Sequence, residues 1–165
     1  MAENKLEIGV IGLGKFGLRM ASTLVSLGHT VLGIDMSEAC VQRAEEALDT
    51  VYKADATNIA VLRSLHVQDL DWVVISVGES VEQSLSITLN VQELNGPKIW
   101  VKASNEEHRK ILQRLHVTRA MVPETEAAVG GPPVDPPRHA RPHPQVRRHC
   151  HSGTARGRMG RKNPH

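Results

Sequence analysis

"IGVIGLGKFGLRM", Ile8 to Met20, is the stretch on which the fold turns. An apolar run meets Gly12, Gly14 and Gly17 in the spacing GxGxxG and then passes into a helical pattern. Each glycine has a separate task in such a turn. The first permits the tight bend, the second lets a pyrophosphate approach the backbone, and the third lets the helix pack closely on the strand. The helix start then offers free N–H groups and a partial positive charge to an anion. By itself the motif is only a glycine-rich strand–helix turn, shared by dinucleotide enzymes and by sensors that catalyse nothing. Context narrows it. Asp35 closes the next apolar run 18 residues after Gly17, the position of a carboxylate that accepts two ribose hydroxyls and repels a 2′-phosphate. Gly12, Leu13, Gly14, Lys15, Phe16, Gly17 and Asp35 are therefore candidate nucleotide-binding residues.

Working outward, apolar runs suited to buried parallel strands alternate with helix-length segments. Glu7–Ile11 reads as the first strand, and the helix after the turn spans about Phe16 to Leu27, closed by Gly28. "TVLGID" (Thr30–Asp35) is the second strand. Ser37 is placed to cap the next helix, which carries Val41, Ala44 and Leu48 on one face. "TVYK" is a third strand, Asn58–Leu65 a short helix, and "WVVIS" (Trp72–Ser76) a fourth strand. Val81–Leu94 is a helix ended by "NGP", "KIWVK" a fifth strand, Asn105–Leu115 a helix and "RAMV" a sixth strand. Six strands joined by helices predict a Rossmann-like, doubly wound parallel sheet covered on both faces, an α/β fold. With few aromatics available, its core should be mainly Val, Ile and Leu.

Charge divides the 165 residues sharply. The chain holds 20 Lys and Arg against 18 Asp and Glu, but from Gly130 onward there are seven Arg and one Lys against Asp135 alone. That tail carries +7 by count, while residues 1–129 carry 12 bases and 17 acids, or −5. "GGPPVDPPRHARPHP" offers too little apolar surface to offset chain entropy, so 130–165 is expected to be a disordered basic tail. Its arginines could neutralise nucleic-acid phosphates, but without interleaved aromatics no specific nucleic-acid partner is expected. The start "MAENKLEIGV" lacks the pattern of a signal peptide, and no window approaches the ~20 apolar residues of a membrane span. Cys40 and Cys150 form no disulfide framework. A cytoplasmic protein is expected, reaching any membrane through a partner.

Three segments carry a more specific signal than the glycine turn: "GVIGLGKFGLRMASTLVSLGHTVLGIDMSEACV", "KADATNIAVLRSLHVQDLDWVVISVG" and "KIWVKASNEEHRKILQRLHVTRAMVPETEAA". Over residues 5–129 the chain resembles the nucleotide-binding regulatory domain of Trk/Ktr potassium uptake systems, the RCK or TrkA-N domain. "ADAT" after the third strand and "VPE" after the sixth are the most telling matches. The resemblance implies a non-catalytic subunit that forms dimers or rings and docks on a membrane potassium transporter or channel. It also implies gating of that pore through binding of NAD(H) or ATP/ADP. By the same resemblance, Asp55, Ala56 and Thr57 would border the adenine. Val77 and Gly78 would lie where the ligand crosses the sheet, and Lys102 would face the phosphates. Glu124 would reach a neighbouring subunit's site or a cation. Lys15 departs from the Arg of many members and offers a point charge in place of a planar fork.

Plainer readings stand beside these. Asp55 could simply cap the helix near Asn58, Lys102 could be a solvated strand end, and Glu124 could favour a helix start after Pro123. His29, His66, His108 and His116 lack metal spacing and read as solvent-facing or capping, and "HCH" at 149–151 is too small for a closed four-ligand site. No metal site is expected. The rival function is an NAD-dependent dehydrogenase. "GLGKFGLRMASTLVSLGHTVLGID" also resembles the hydroxyisobutyrate and phosphogluconate dehydrogenases, but no proton donor for hydride transfer is apparent. Finally, "ETEAAV" starts a helix that "GGPPVDPP" breaks. The Arg/Pro/His/Gly-rich text beyond it resembles a GC-rich gene read out of frame, which suggests a frameshift near Val129.

Overall fold

Alternation of buried side chains along the central strands shows how the sheet is covered. The computed structural model describes residues 5–78 and 80–123. Glu124, the tail from Gly130 and the proposed frameshift point near Val129 lie outside these residues. The strands are β1 (Glu7–Ile11), β2 (Thr30–Asp35), β3 (Thr50–Lys53), β4 (Trp72–Ile75), β5 (Lys98–Lys102) and β6 (Arg119–Met121). All pair in parallel, in the order β3-β2-β1-β4-β5-β6. The helices are α1 (Lys15–Ser26), α2 (Glu38–Glu45), α3 (Ile59–Ser64), α4 (Val81–Glu93) and α5 (Glu106–Arg114), with a 3-10 turn at Val67–Asp69. The doubly wound Rossmann-like sheet expected from the sequence is present.

Period-2 alternation assigns each face its core. Ile8, Val10, Trp72, Val74 and Trp100 point to one side and pack with Met20, Ala21 and Leu24 of α1 and with Ala44 of α2. Ile11, Val73, Ile75, Ile99 and Val101 point to the other and meet Leu62 of α3, Ile87 and Val91 of α4, and Leu112 of α5. A buried Leu, Ile or Met contributes about 1.5–3 kcal/mol, so each helix is held mainly by its apolar stripe. Strand β4 is buried at all four positions, whereas the edge strand β3 is exposed at Tyr52 and Lys53.

Several local expectations are corrected. Helix α1 starts one residue early, at Lys15, and ends at Ser26 before Gly28 with φ +89. Strands β4 and β6 end one residue early, at Ile75 and Met121. Leu48 is buried but lies beyond the end of α2. His108 is not solvent-facing. It is 1% exposed, and its Nδ1 accepts the Ser104 N–H at 3.1 Å. That bond places the proton on Nε2, which has no partner among the described residues.

Burial therefore holds the His108 imidazole neutral and pushes its pKa below the usual 6.5. As pH falls through 6.5, the unfolded chain takes up this proton before the folded one does, so stability is lost on acidification. Urea midpoints measured from pH 8 to pH 5 should fall below about pH 6.5. In His108→Gln that loss should be smaller, and an identical slope in the variant would refute this account.

Candidate functional site

The sheet reverses its direction of winding between β1 and β4, and ligands of open parallel sheets bind at the carboxyl ends of the strands at that reversal. Gly12 leaves β1 with φ +93 and donates its N–H to the Ile34 carbonyl at 2.9 Å. A Cβ on Gly12 would stand 2.2 Å from the Ser76 carbonyl oxygen, and one on Gly17 would stand 1.8 Å from that of Gly12. Neither position has room for a side chain. Gly14 is different: a Cβ there would meet none of the described residues within 4 Å.

Asp35 at the end of β2 locks the turn. Its Oδ2 accepts the Leu13 N–H at 2.6 Å, and its Oδ1 accepts the Ser37 N–H at 2.7 Å. The Ser37 side chain was expected to cap α2 but makes no capping bond, while its backbone N–H is held by Asp35 Oδ1. Each carboxylate oxygen keeps a further acceptor site, so both can still receive hydroxyl groups.

A cleft of about 530 Å³ opens above these residues. Gly12, Gly14, Lys15, Phe16, Asp35, Asp55, Ala56, Thr57, Val77, Gly78 and Lys102 all line it, brought together from the ends of β1 to β5. Leu13 and Gly17 do not. The Leu13 side chain is 1% exposed within the core, and Gly17 serves the contact between helix and turn. Glu124 lies outside the described residues. The cleft also includes Met36, Cys40, Ser76, Gln83 and Ile87, which the sequence reading missed. Gln83 and Ile87 stand four apart on α4, a helical spacing that could have been noticed. Cys40 and Met36 gave no signal before the fold was known.

The loop after β3 is braced from within. Asp55 Oδ1 accepts the Thr57 hydroxyl at 2.6 Å and the Thr57 N–H at 2.9 Å. The Thr57 hydroxyl bond first, then the backbone bond, holds the Asp55 carboxyl below its usual range. Asp55 is not the cap of α3. That position belongs to Asn58, whose Oδ1 accepts the Ala60 N–H. On the opposite wall Lys102 is more than a solvated strand end. Its Nζ lies 5.3 Å from the centre of the Phe16 ring, which is stacked on Trp100 at 5.8 Å. This props a positive charge at the cleft.

The donor set suits an adenosine nucleotide. The first turn of α1 has no side-chain cap and no acid, which leaves its N–H groups and dipole free for phosphate. Gly14 leaves open space beside it. Among the described residues, no group of three or more His, Cys, Asp or Glu could hold a metal ion.

Residues 8–123 match the TrkA-N domain family. The chain belongs to the TrkA-N family. Ktr system potassium uptake protein A of Bacillus subtilis is 34% identical over 123 residues, covering 74% of this chain and 55% of that protein. The chain thus spans about half the length of the curated relatives it matches. Among solved structures, the NAD(P)-binding domain of an exopolyphosphatase-related protein from Archaeoglobus fulgidus superposes with a TM-score of 0.68 at 21% identity, over 76% of this chain and 93% of that one. A Shewanella denitrificans Kef C-terminal domain in its AMP-bound form reaches 0.64 at 23% identity, over 74% of this chain and 75% of that one. These likenesses establish the fold, which by itself carries many functions. Among the described residues, no helix of this TrkA-N chain is long and apolar enough to cross a membrane.

The two glycines should separate folding from binding. Gly17→Ala drives a methyl into the Gly12 carbonyl and should cost at least about 3 kcal/mol in urea unfolding. Gly14→Ala should leave stability within about 1 kcal/mol of wild type yet abolish nucleotide binding in calorimetry. Undiminished binding by Gly14→Ala would refute the phosphate position.

Proposed function

We propose that this TrkA-N protein is a nucleotide-sensing regulatory subunit of a potassium uptake system, which binds NAD(H) or ATP/ADP without reacting it and gates a membrane pore partner. The observation that carries the proposal is the open space over Gly14 at the uncapped start of α1, with the Asp35 carboxylate across the turn. Gly14, Lys15 and the first N–H groups of α1 would hold the phosphates. Asp35 would take the ribose hydroxyls on its remaining acceptor sites. The Asp55 carboxylate, kept ionised by Thr57, would accept the exocyclic amine of adenine, with Met36 and Ala56 beside the ring. Val77 and Gly78 would leave room for the second half of a dinucleotide, toward Lys102.

Regulation follows from differential affinity. A ligand shifts a two-state assembly only by the difference in its affinity for the two states. Helix α4 places Gln83 and Ile87 in the cleft and Leu89 on the surface, so a ligand that repositions α4 would alter what the surface presents. Docking of a cytoplasmic dimer or ring on the pore belongs to the same proposal, as does the role of Glu124 at a neighbouring subunit. The potassium-uptake name of the B. subtilis relative supports a sensor over a dehydrogenase.

Calorimetric titration of the full chain with NADH, ATP, ADP and NADPH, with mass followed by light scattering, tests this. NADH should bind at least about tenfold more tightly than NADPH, because Asp35 repels a 2′-phosphate. NAD+ should also stay unreduced with 2-hydroxy acids, and NADH should stay unoxidised with their 2-oxo counterparts. Absence of heat with every nucleotide would refute the sensor, and turnover would replace it with the dehydrogenase.

A further inference from the structure

Helix α4 carries an asparagine at a place where helices disfavour one. Asn90 lies well inside Val81–Glu93, and Asn is a poor residue for a helix interior because its amide competes for backbone groups. Here the half-buried side chain turns away from its own helix. Its Nδ2 donates to the Thr57 carbonyl at 2.7 Å, across 33 residues of sequence. A carbonyl can only accept, so the amide must present its NH₂ to Thr57.

Thr57 is also the residue that orients Asp55, through its hydroxyl and its N–H. One peptide segment therefore receives Asn90 from α4 on its carbonyl side and directs the Asp55 carboxylate with its other groups. Ala56 between them is 4% exposed and packed into the core, which gives the loop its second anchor. Asp55 itself is exposed, and both bonds from Thr57 go to its Oδ1. The carboxylate edge available to a ligand is thus set by Thr57, and the placement of Thr57 is set from α4.

We infer that Asn90 is a positioning residue for base recognition, holding Thr57 so that the Asp55 carboxylate meets the 6-amino group of a purine in the cleft. The inference rests on the adenine-nucleotide reading above. Asn90 touches no ligand, and its effect reaches the base only through Thr57 and Asp55. The same bond ties the base-reading loop to α4, whose first turns border the cleft at Gln83 and Ile87.

A merely structural Asn90 would affect all ligands alike, whereas a positioning Asn90 affects the base. The test compares ADP with inosine diphosphate, which carries a 6-oxo group in place of the amine, by calorimetry on the full chain. Asn90→Ala improves helix propensity and Asn90→Leu keeps the branched side-chain shape while removing the donor, so loss of folding is not expected in either, and thermal midpoints check this. Wild type should prefer ADP by about tenfold, the worth of one hydrogen bond to a charged group. Both variants should lose most of that preference, with inosine diphosphate affinity changed less than about twofold. Retention of the preference in both variants, or an equal loss for the two ligands, overturns the assignment of Asn90 and leaves the nucleotide reading standing. A wild type that binds both without preference overturns base recognition by Asp55, and a wild type that binds neither overturns the nucleotide reading as well.

Discussion

The hydrogen bond from the Leu13 N–H to Asp35 Oδ2 is the constraint on which the rest of the site depends. It ties the turn after β1 to the end of β2, while Ser37 draws the other oxygen of the same carboxylate toward the start of α2. Around it Gly12 lies against the Ser76 carbonyl and Gly17 against that of Gly12, with no space for a Cβ at either place. Turn, helix start and the end of β4 are thereby held in one arrangement. A short charge-assisted bond and two backbone contacts locate the helix start more narrowly than an apolar stripe could, because hydrophobic burial is non-directional.

What this arrangement leaves open matters as much as what it closes. The chain uses its glycines in two ways: Gly12 and Gly17 are consumed by backbone contacts, and Gly14 faces empty space. The N–H groups beside Gly14 have no side-chain cap, and their positive field is supplemented by Lys15 and by Lys102 on its aromatic support. Asp35 and Asp55 line the same cleft and bring carboxylates to it. The cleft thus carries charge of both signs, as a ligand with phosphate in one part and hydroxyl and amine donors in another requires.

Local pattern was enough for the six strands and five helices of the described residues, since alternation of period 2 and stripes of period 3.6 report burial directly. Misses of one residue at the ends of α1, β4 and β6 arose where a cap or a turn competes with the regular element. Of the two roles open to His108, solvent-facing or capping, packing excludes the first, and its Nδ1 bond to the Ser104 N–H at the start of α5 is of the second kind. Asp55 was ambiguous for a related reason. Asp and Asn three residues apart both suit a helix cap, and the bonds of Thr57 and Ala60 decide between them.

From the sequence alone came the order of elements, the doubly wound parallel sheet, the glycine turn with its acid, and the resemblance that the TrkA-N match bears out. Those features are written in neighbouring residues or in fixed short spacings, so a one-dimensional reading can recover them. Tertiary structure alone decided that Leu13 belongs to the core, that Cys40 and Met36 stand at the cleft, and that Asn90 reaches Thr57. These depend on how far apart strand ends and helix faces finally lie. That distance is set by packing across the whole sheet, and no local spacing encodes it.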